Sequence, residues 1–169
     1  LPMAPAGDRL YVAPGSEVRA YDLASRALVA TLPLPGAISL GLDQARHRLF
    51  VGTETGTIEI IDTAATFDSL RPGPSAPLAL PADRSGPFAT IGAPVTHLLA
   101  TDDGLSVLAA ASDELVSLDG ATGAELGRVA LRSISGLTGA GTGDSLVAHP
   151  AEVADPSAAA ELLAGELGG

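Results

Sequence analysis

His47, His97 and His149 are the side chains here best suited to metal ligation or to proton transfer near neutral pH. His47 stands between two arginines in a polar turn, His97 lies inside an apolar run, and His149 precedes a proline. Settings so different do not gather three imidazoles around one ion. The densest carboxylates are Asp102-Asp103-Gly104, and Asp-Gly is first a hairpin turn, because glycine supplies the positive φ such turns require. Glu54 and Glu59 flank a threonine-rich turn and read as solvated surface. No segment alternates Asp and closes on Glu as a calcium loop does. Gly139-Ala140-Gly141-Thr142-Gly143-Asp144 is glycine-rich but lacks the lysine of a phosphate-binding loop, and no serine sits in a Gly-x-Ser-x-Gly elbow. The expectation is no catalytic residue, no cofactor-binding residue, no metal ligand and no cofactor.

The elements that would hold any such groups follow from a phrase that recurs. Arg9-Leu10-Tyr11-Val12-Ala13 returns as Arg48-Leu49-Phe50-Val51-Gly52. Each is followed by a polar turn and a β-rich run ending in aspartate, Asp22 or Asp62. Asp119 closes a third such run and Asp155 aligns with a fourth. A turn-forming group follows these aspartates, so a carboxylate that accepts backbone N–H bonds there would clamp a tight turn. The runs are short, nearly period 2, and set about ten residues apart, which predicts an all-β chain. Four such strands at a spacing near 40 residues are the signature of a propeller blade.

On this reading the chain is a single propeller domain or fragment with about four blades, each of four antiparallel strands. They span residues 1–33, 37–80, 94–131 and 133–167. Residues 64–94 hold six prolines, at 72, 74, 77, 81, 87 and 94, and are expected to run mainly over the surface. The stretch 76–80 is the candidate fourth strand of the second blade. The tail from Ser157 to Ala164 has a serine N-cap and strong helix formers, which predicts a short helix, whereas the repeat register predicts a strand. In the inner strands 37–42 and 94–100, Ser39, Thr96 and His97 are the polar candidates to face a central channel.

Of 169 residues, 46% are hydrophobic and five are aromatic, and the net charge of −11 argues against binding a phosphate backbone. All nine basic residues are arginine, and neither lysine nor asparagine occurs, a bias that fits a high-GC bacterial genome. There is no cysteine. No apolar run reaches the ~18–20 residues that a membrane-spanning helix needs.

The stretch 9–32, and again 48–63, resembles the YVTN-type β-propeller repeat: strand, turn, strand ending in Asp, turn, strand. Leu118-Asp119-Gly120-Ala121-Thr122-Gly123-Ala124-Glu125-Leu126-Gly127 is similar to the quinoprotein-type repeat, with Gly127 near the place of its docking tryptophan; this chain has no tryptophan. The resemblance implies an extracytoplasmic bacterial protein, periplasmic or secreted, and a binding or scaffold role. Its partner would be another protein or the remaining blades of one ring, and not a nucleic acid. Two alternatives stand beside it. One is a hydrolase or lactonase with a metal at the channel mouth, supplied partly by blades outside this chain. The other is an accessory subunit of a membrane-associated complex, with residues 64–94 as contact arm.

Overall fold

The computed structural model describes residues 1–68, 70–72 and 76–130, and the backbone of 134–140 and 145–150. All its extended elements except one short pair form antiparallel ladders. The first unit is β1 (Met3–Ala6), β2 (Arg9–Val12), β3 (Gly15–Asp22) and the first half of β4 (Leu28–Asp43). The second half of β4 begins the next unit, with β5 (Arg48–Thr53) and β6 (Thr57–Asp62). The sequence reading ends one blade at residue 33 and starts the next at 37, but the 16-residue β4 is continuous: it pairs with β3 from Leu28 to Pro33 and, after a register shift, at Ala37, and with β5 from Ala37 onward. Pro33 and Pro35 lack an N–H yet keep extended backbone, and Gly36, at φ +77°, lies where the strand passes from one unit to the next.

The second unit is completed differently from the expectation for residues 76–80. Its fourth strand is β8 (Ser85–Thr90), which pairs with β6; β7 (Leu78–Ala79) instead lies parallel to β4 beside Ala30 and Thr31, on the outer edge of the first unit. Pro77 and Pro81 bracket β7 and limit it to two residues. Pro87 is tolerated in β8, which is an outer strand of its sheet, at a register shift opposite Glu59. The third unit is β9 (Val95–Ala100), β10 (Ser106–Ala111), β11 (Glu114–Asp119) and β12 (Glu125–Ala130), in the order β12-β11-β10-β9. β13 (Ile134–Ala140) and β14 (Ser145–Pro150) form an antiparallel pair. The tail anticipated as helix or strand, and Asp155 with it, lie outside the described residues.

The core consists of two slabs between units. Tyr11, Val18, Ala20, Ala30 and Leu32 of the first unit meet Leu49, Val51 and Ile61 of the second. Phe50 and Ile58, on the opposite face of the second unit, meet Val95, Leu98, Val107, Ala109 and Val116 of the third. Leu49 and Phe50 are neighbours in sequence and point to opposite slabs, so β5 reads as an unbroken apolar run because it is covered on both faces. β10 is buried at every position for its full length.

Candidate functional site

The turn aspartates come first because the repeat singles them out. Asp22 Oδ1 accepts from the Ser25 backbone N–H and hydroxyl, both at 2.7 Å, while Oδ2 accepts from Arg9 at 2.9 Å. Asp119 Oδ1 accepts from the backbone N–H groups of Ala121 and Thr122 at 3.0 and 2.7 Å and from the Thr122 hydroxyl at 2.8 Å. These bonds, led by the serine and threonine hydroxyls, hold both carboxyls below the usual carboxylate range. Asp62 Oδ1 accepts one bond, from Ala65 N–H at 3.0 Å.

The recurring arginine is placed by the same register. Arg9 lies opposite Asp22 and Arg48 opposite Asp62, while the third unit puts Ser106 opposite Asp119. Arg9 is buried and donates to Asp22 and to the Leu70 carbonyl, which belongs to the segment after β6. Arg48 donates to the carbonyls of Gly104 and Gly120 in the third unit, and its Nη2 and Nε donate to Asp43 Oδ2 at 2.6 and 3.2 Å. Its guanidinium also lies 5.5 Å from the centre of the Phe50 ring. The repeated arginine therefore staples its own unit to a segment that follows.

The three channel candidates are placed apart in role. Ser39 is buried between the second and third units, where its hydroxyl donates to the Val95 carbonyl at 2.6 Å. Thr96 is exposed and donates to the Ala110 carbonyl at 3.3 Å. His97 is half-buried, with Nδ1 3.1 Å from the Thr96 hydroxyl. His47, at φ +54°, reaches Asp68 at 3.0 Å. Among the described residues no three His, Asp or Glu side chains are grouped to hold a metal. His149 belongs to β14, of which only the backbone is described.

What the fold does bring together is a set of turns. A cavity of about 450 Å³ opens where the first strands of the three units end. Its walls are Ala4 and Pro5 of β1, Leu42 to Ala45 at the end of β4, and Thr101 and Asp102 after β9. Asp43 at its base is already committed to Arg48 and, at 3.5 Å, to Arg46. Asp103 is likewise engaged: it accepts from the Thr101 hydroxyl at 2.6 Å and the Leu105 N–H at 2.9 Å, and the first of these contributes most to holding its carboxyl low. Gln44 and Asp102 are the exposed polar side chains on the wall. Gly104 fixes the turn against its neighbour: its φ is +65°, and a Cβ there would fall 1.6 Å from Arg46 Nη1. Sequence reading recognised Asp102-Asp103-Gly104 as a turn but passed over Asp43 and Gln44. The available signal was position, since both follow the first strand of a repeat unit.

No protein-family model matches the chain, and no curated protein matches it. Among solved structures it is similar to hydrazine synthase of Kuenenia stuttgartiensis, at 12% identity and a TM-score of 0.68 over 91% of this chain. It is also similar to two computationally designed proteins, Ika8 (13%, TM-score 0.61, 88% of this chain) and Ika4 (12%, TM-score 0.62, 89%). It spans 42% of the hydrazine synthase chain, 42% of Ika8 and 84% of Ika4. The fold is consistent with a propeller. At such identities the likeness concerns fold alone, and it gives no role to the cavity, the staples or the turn aspartates.

Proposed function

We propose that the chain is a binding or scaffold module built from YVTN-like propeller blades, acting outside the cytoplasm, with the cavity at the first-strand ends as its contact site. The cavity carries this reading. Three repeat units, from two sheets, contribute to one concave wall, which is how a rigid β scaffold presents turns to a ligand. Asp43 is neutralised by arginine, leaving the Gln44 amide and the Asp102 carboxylate to face what binds. An acceptor-rich rim on a chain of net charge −11 suits a cationic group, such as a lysine or arginine side chain of a protein partner.

The test is a panel of immobilised peptides, half rich in Lys and Arg and half neutral, probed with the wild type and with Asp102→Arg. Selective retention of basic peptides by the wild type, lost in Asp102→Arg at an unchanged melting temperature, is the expected result. Equal retention by both proteins would remove the cavity from the argument. Fractionation of the source cells tests the location: recovery with cytosolic markers counts against it.

A further inference from the structure

Guanidinium is the cation this fold already holds at its turns. Every basic side chain of the chain is arginine. Arg9 bonds one carboxylate, that of Asp22, and one backbone carbonyl, that of Leu70. Arg48 bonds the Asp43 carboxylate and two carbonyls, those of Gly104 and Gly120. In both cases a planar fork of N–H donors spans segments far apart in sequence. Arg46 stands on the rim of the cavity itself: it reaches Asp43 at 3.5 Å and lies over Gly104 in the facing turn.

The cavity beside these staples is lined for one more such group. Half of its wall is apolar, from Ala4, Pro5, Leu42 and Ala45. Of its polar residues, Asp43 is committed to arginine, and the Thr101 hydroxyl to Asp103 and the Ser106 carbonyl. Asp102 and Gln44 remain, both exposed. They stand in the turns after β9 and β4, each held between two strands of its own sheet. We infer that the cavity takes an arginine side chain in preference to lysine, its guanidinium held by the Asp102 carboxylate and the Gln44 amide oxygen and its stem lying along Leu42 and Pro5. This inference deepens the binding reading above and rests on it. A net charge of −11 draws in any cation, so the preference comes from shape and hydration. A carboxylate accepts two parallel N–H bonds from a guanidinium, and an amide oxygen accepts a further one. Guanidinium is weakly hydrated and tolerates an apolar wall, whereas an ammonium is a compact, strongly hydrated charge whose water such a wall does not replace.

The test uses blocked pentapeptides Gly-Ser-X-Ser-Gly, with X as arginine, lysine, citrulline or asymmetric dimethylarginine, titrated against the chain and followed by its amide NMR shifts. The arginine peptide should bind tightest. The lysine peptide should bind about tenfold more weakly, the size of one lost hydrogen bond to a charged group. Citrulline keeps the shape without the charge, and dimethylarginine keeps the charge but not the bidentate pair, so both should also fall well below arginine. Gln44→Ala, at an exposed position, should lower the affinity for arginine towards that for lysine, leave that for lysine nearly unchanged, and melt with the wild type. Arginine and lysine bound equally, and both lost in Asp102→Arg, would overturn the preference while the cationic reading stands. No binding of either basic peptide would overturn both. A preference for arginine that survives in Asp102→Arg and in Gln44→Ala would overturn the inference by moving the site elsewhere.

Discussion

Arg48 meets several needs with one guanidinium. It neutralises Asp43, whose side chain is 1% exposed, and satisfies two carbonyls of the next unit. Replacing it by methionine leaves the buried carboxylate only the exposed Arg46, 3.5 Å away, as charged partner, so Arg48→Met should cost up to about 3–5 kcal/mol in urea denaturation. Asp43→Asn combined with Arg48→Met should recover a good part of that loss, because the poorly compensated charge is gone. A double mutant no more stable than the single would refute the charge argument. The turn aspartates behave differently, since their partners are neutral N–H and O–H groups. The folded-state pKa of Asp119 lies below its ordinary 3.8. Its contribution is therefore present above that value and lost as pH falls through the lower folded one. Asp119→Ala should melt below the wild type at pH 7, and the two melting temperatures should converge as pH falls through the lowered folded-state value. A gap that stays constant with pH would assign the effect to packing.

The insertion after β6 shows how elements constrain one another. Residues 64–94 were expected to run mainly over the surface, yet the segment is pinned at both ends. A short π-helical turn (Ala64–Asp68) buries Phe67, whose ring centre is 5.3 Å from that of Tyr11. Burial and the Asp68 carboxylate raise the Tyr11 pKa, so its hydroxyl stays protonated and donates to Asp68 at 3.4 Å. Downstream, β7 lies on the edge strand of the first unit, where it covers part of an open ladder. Phe67→Ala should cost about 3–5 kcal/mol, the usual loss for a buried phenylalanine, measured by chemical denaturation. A loss under 1 kcal/mol would return the segment to the status of a surface loop. A second element-scale constraint lies between β5 and β9. A Cβ at Gly52 would stand 2.2 Å from Ser39 Oγ and 2.7 Å from Val95. Gly52→Ala should therefore destabilise by ~1–3 kcal/mol through overpacking. Adding Ser39→Ala should relieve only part of this, since the valine remains and the buried bond to its carbonyl is lost.

At the scale of the molecule, cooperativity follows from the shared strand. β4 joins the first two units in one continuous sheet, pairing with β3 in its first half and β5 in its second, and cannot leave one unit without disrupting the other. Native-state hydrogen exchange should therefore give the ladder amides of β3, β4 and β5 a common opening free energy. The third unit is joined to the second by side-chain packing, Ser39 and Arg48, with no shared strand. Its ladder amides should open at a lower free energy in Arg48→Met, while those of β3 change less. Uniform loss of protection across all three units would contradict this division.

The sequence by itself determined the strands. Arg9-Leu10-Tyr11-Val12 and Arg48-Leu49-Phe50-Val51 announce β2 and β5 because local alternation, β propensity and turn residues act within a few positions. The strands of the third unit were legible for the same reason. Only the tertiary structure decided that 85–90 and not 76–80 completes the second unit, since a fourth strand is chosen by which edge is open. The same holds for the partners of the recurring arginine, which lie 56 and 72 residues away for Arg48 and 61 for Arg9. The cavity was least legible, because Pro5, Gln44 and Asp102 carry no shared motif. Their proximity arises from equivalent strand ends brought together when the units pack, and sheet packing depends on side-chain faces that no single stretch of sequence displays.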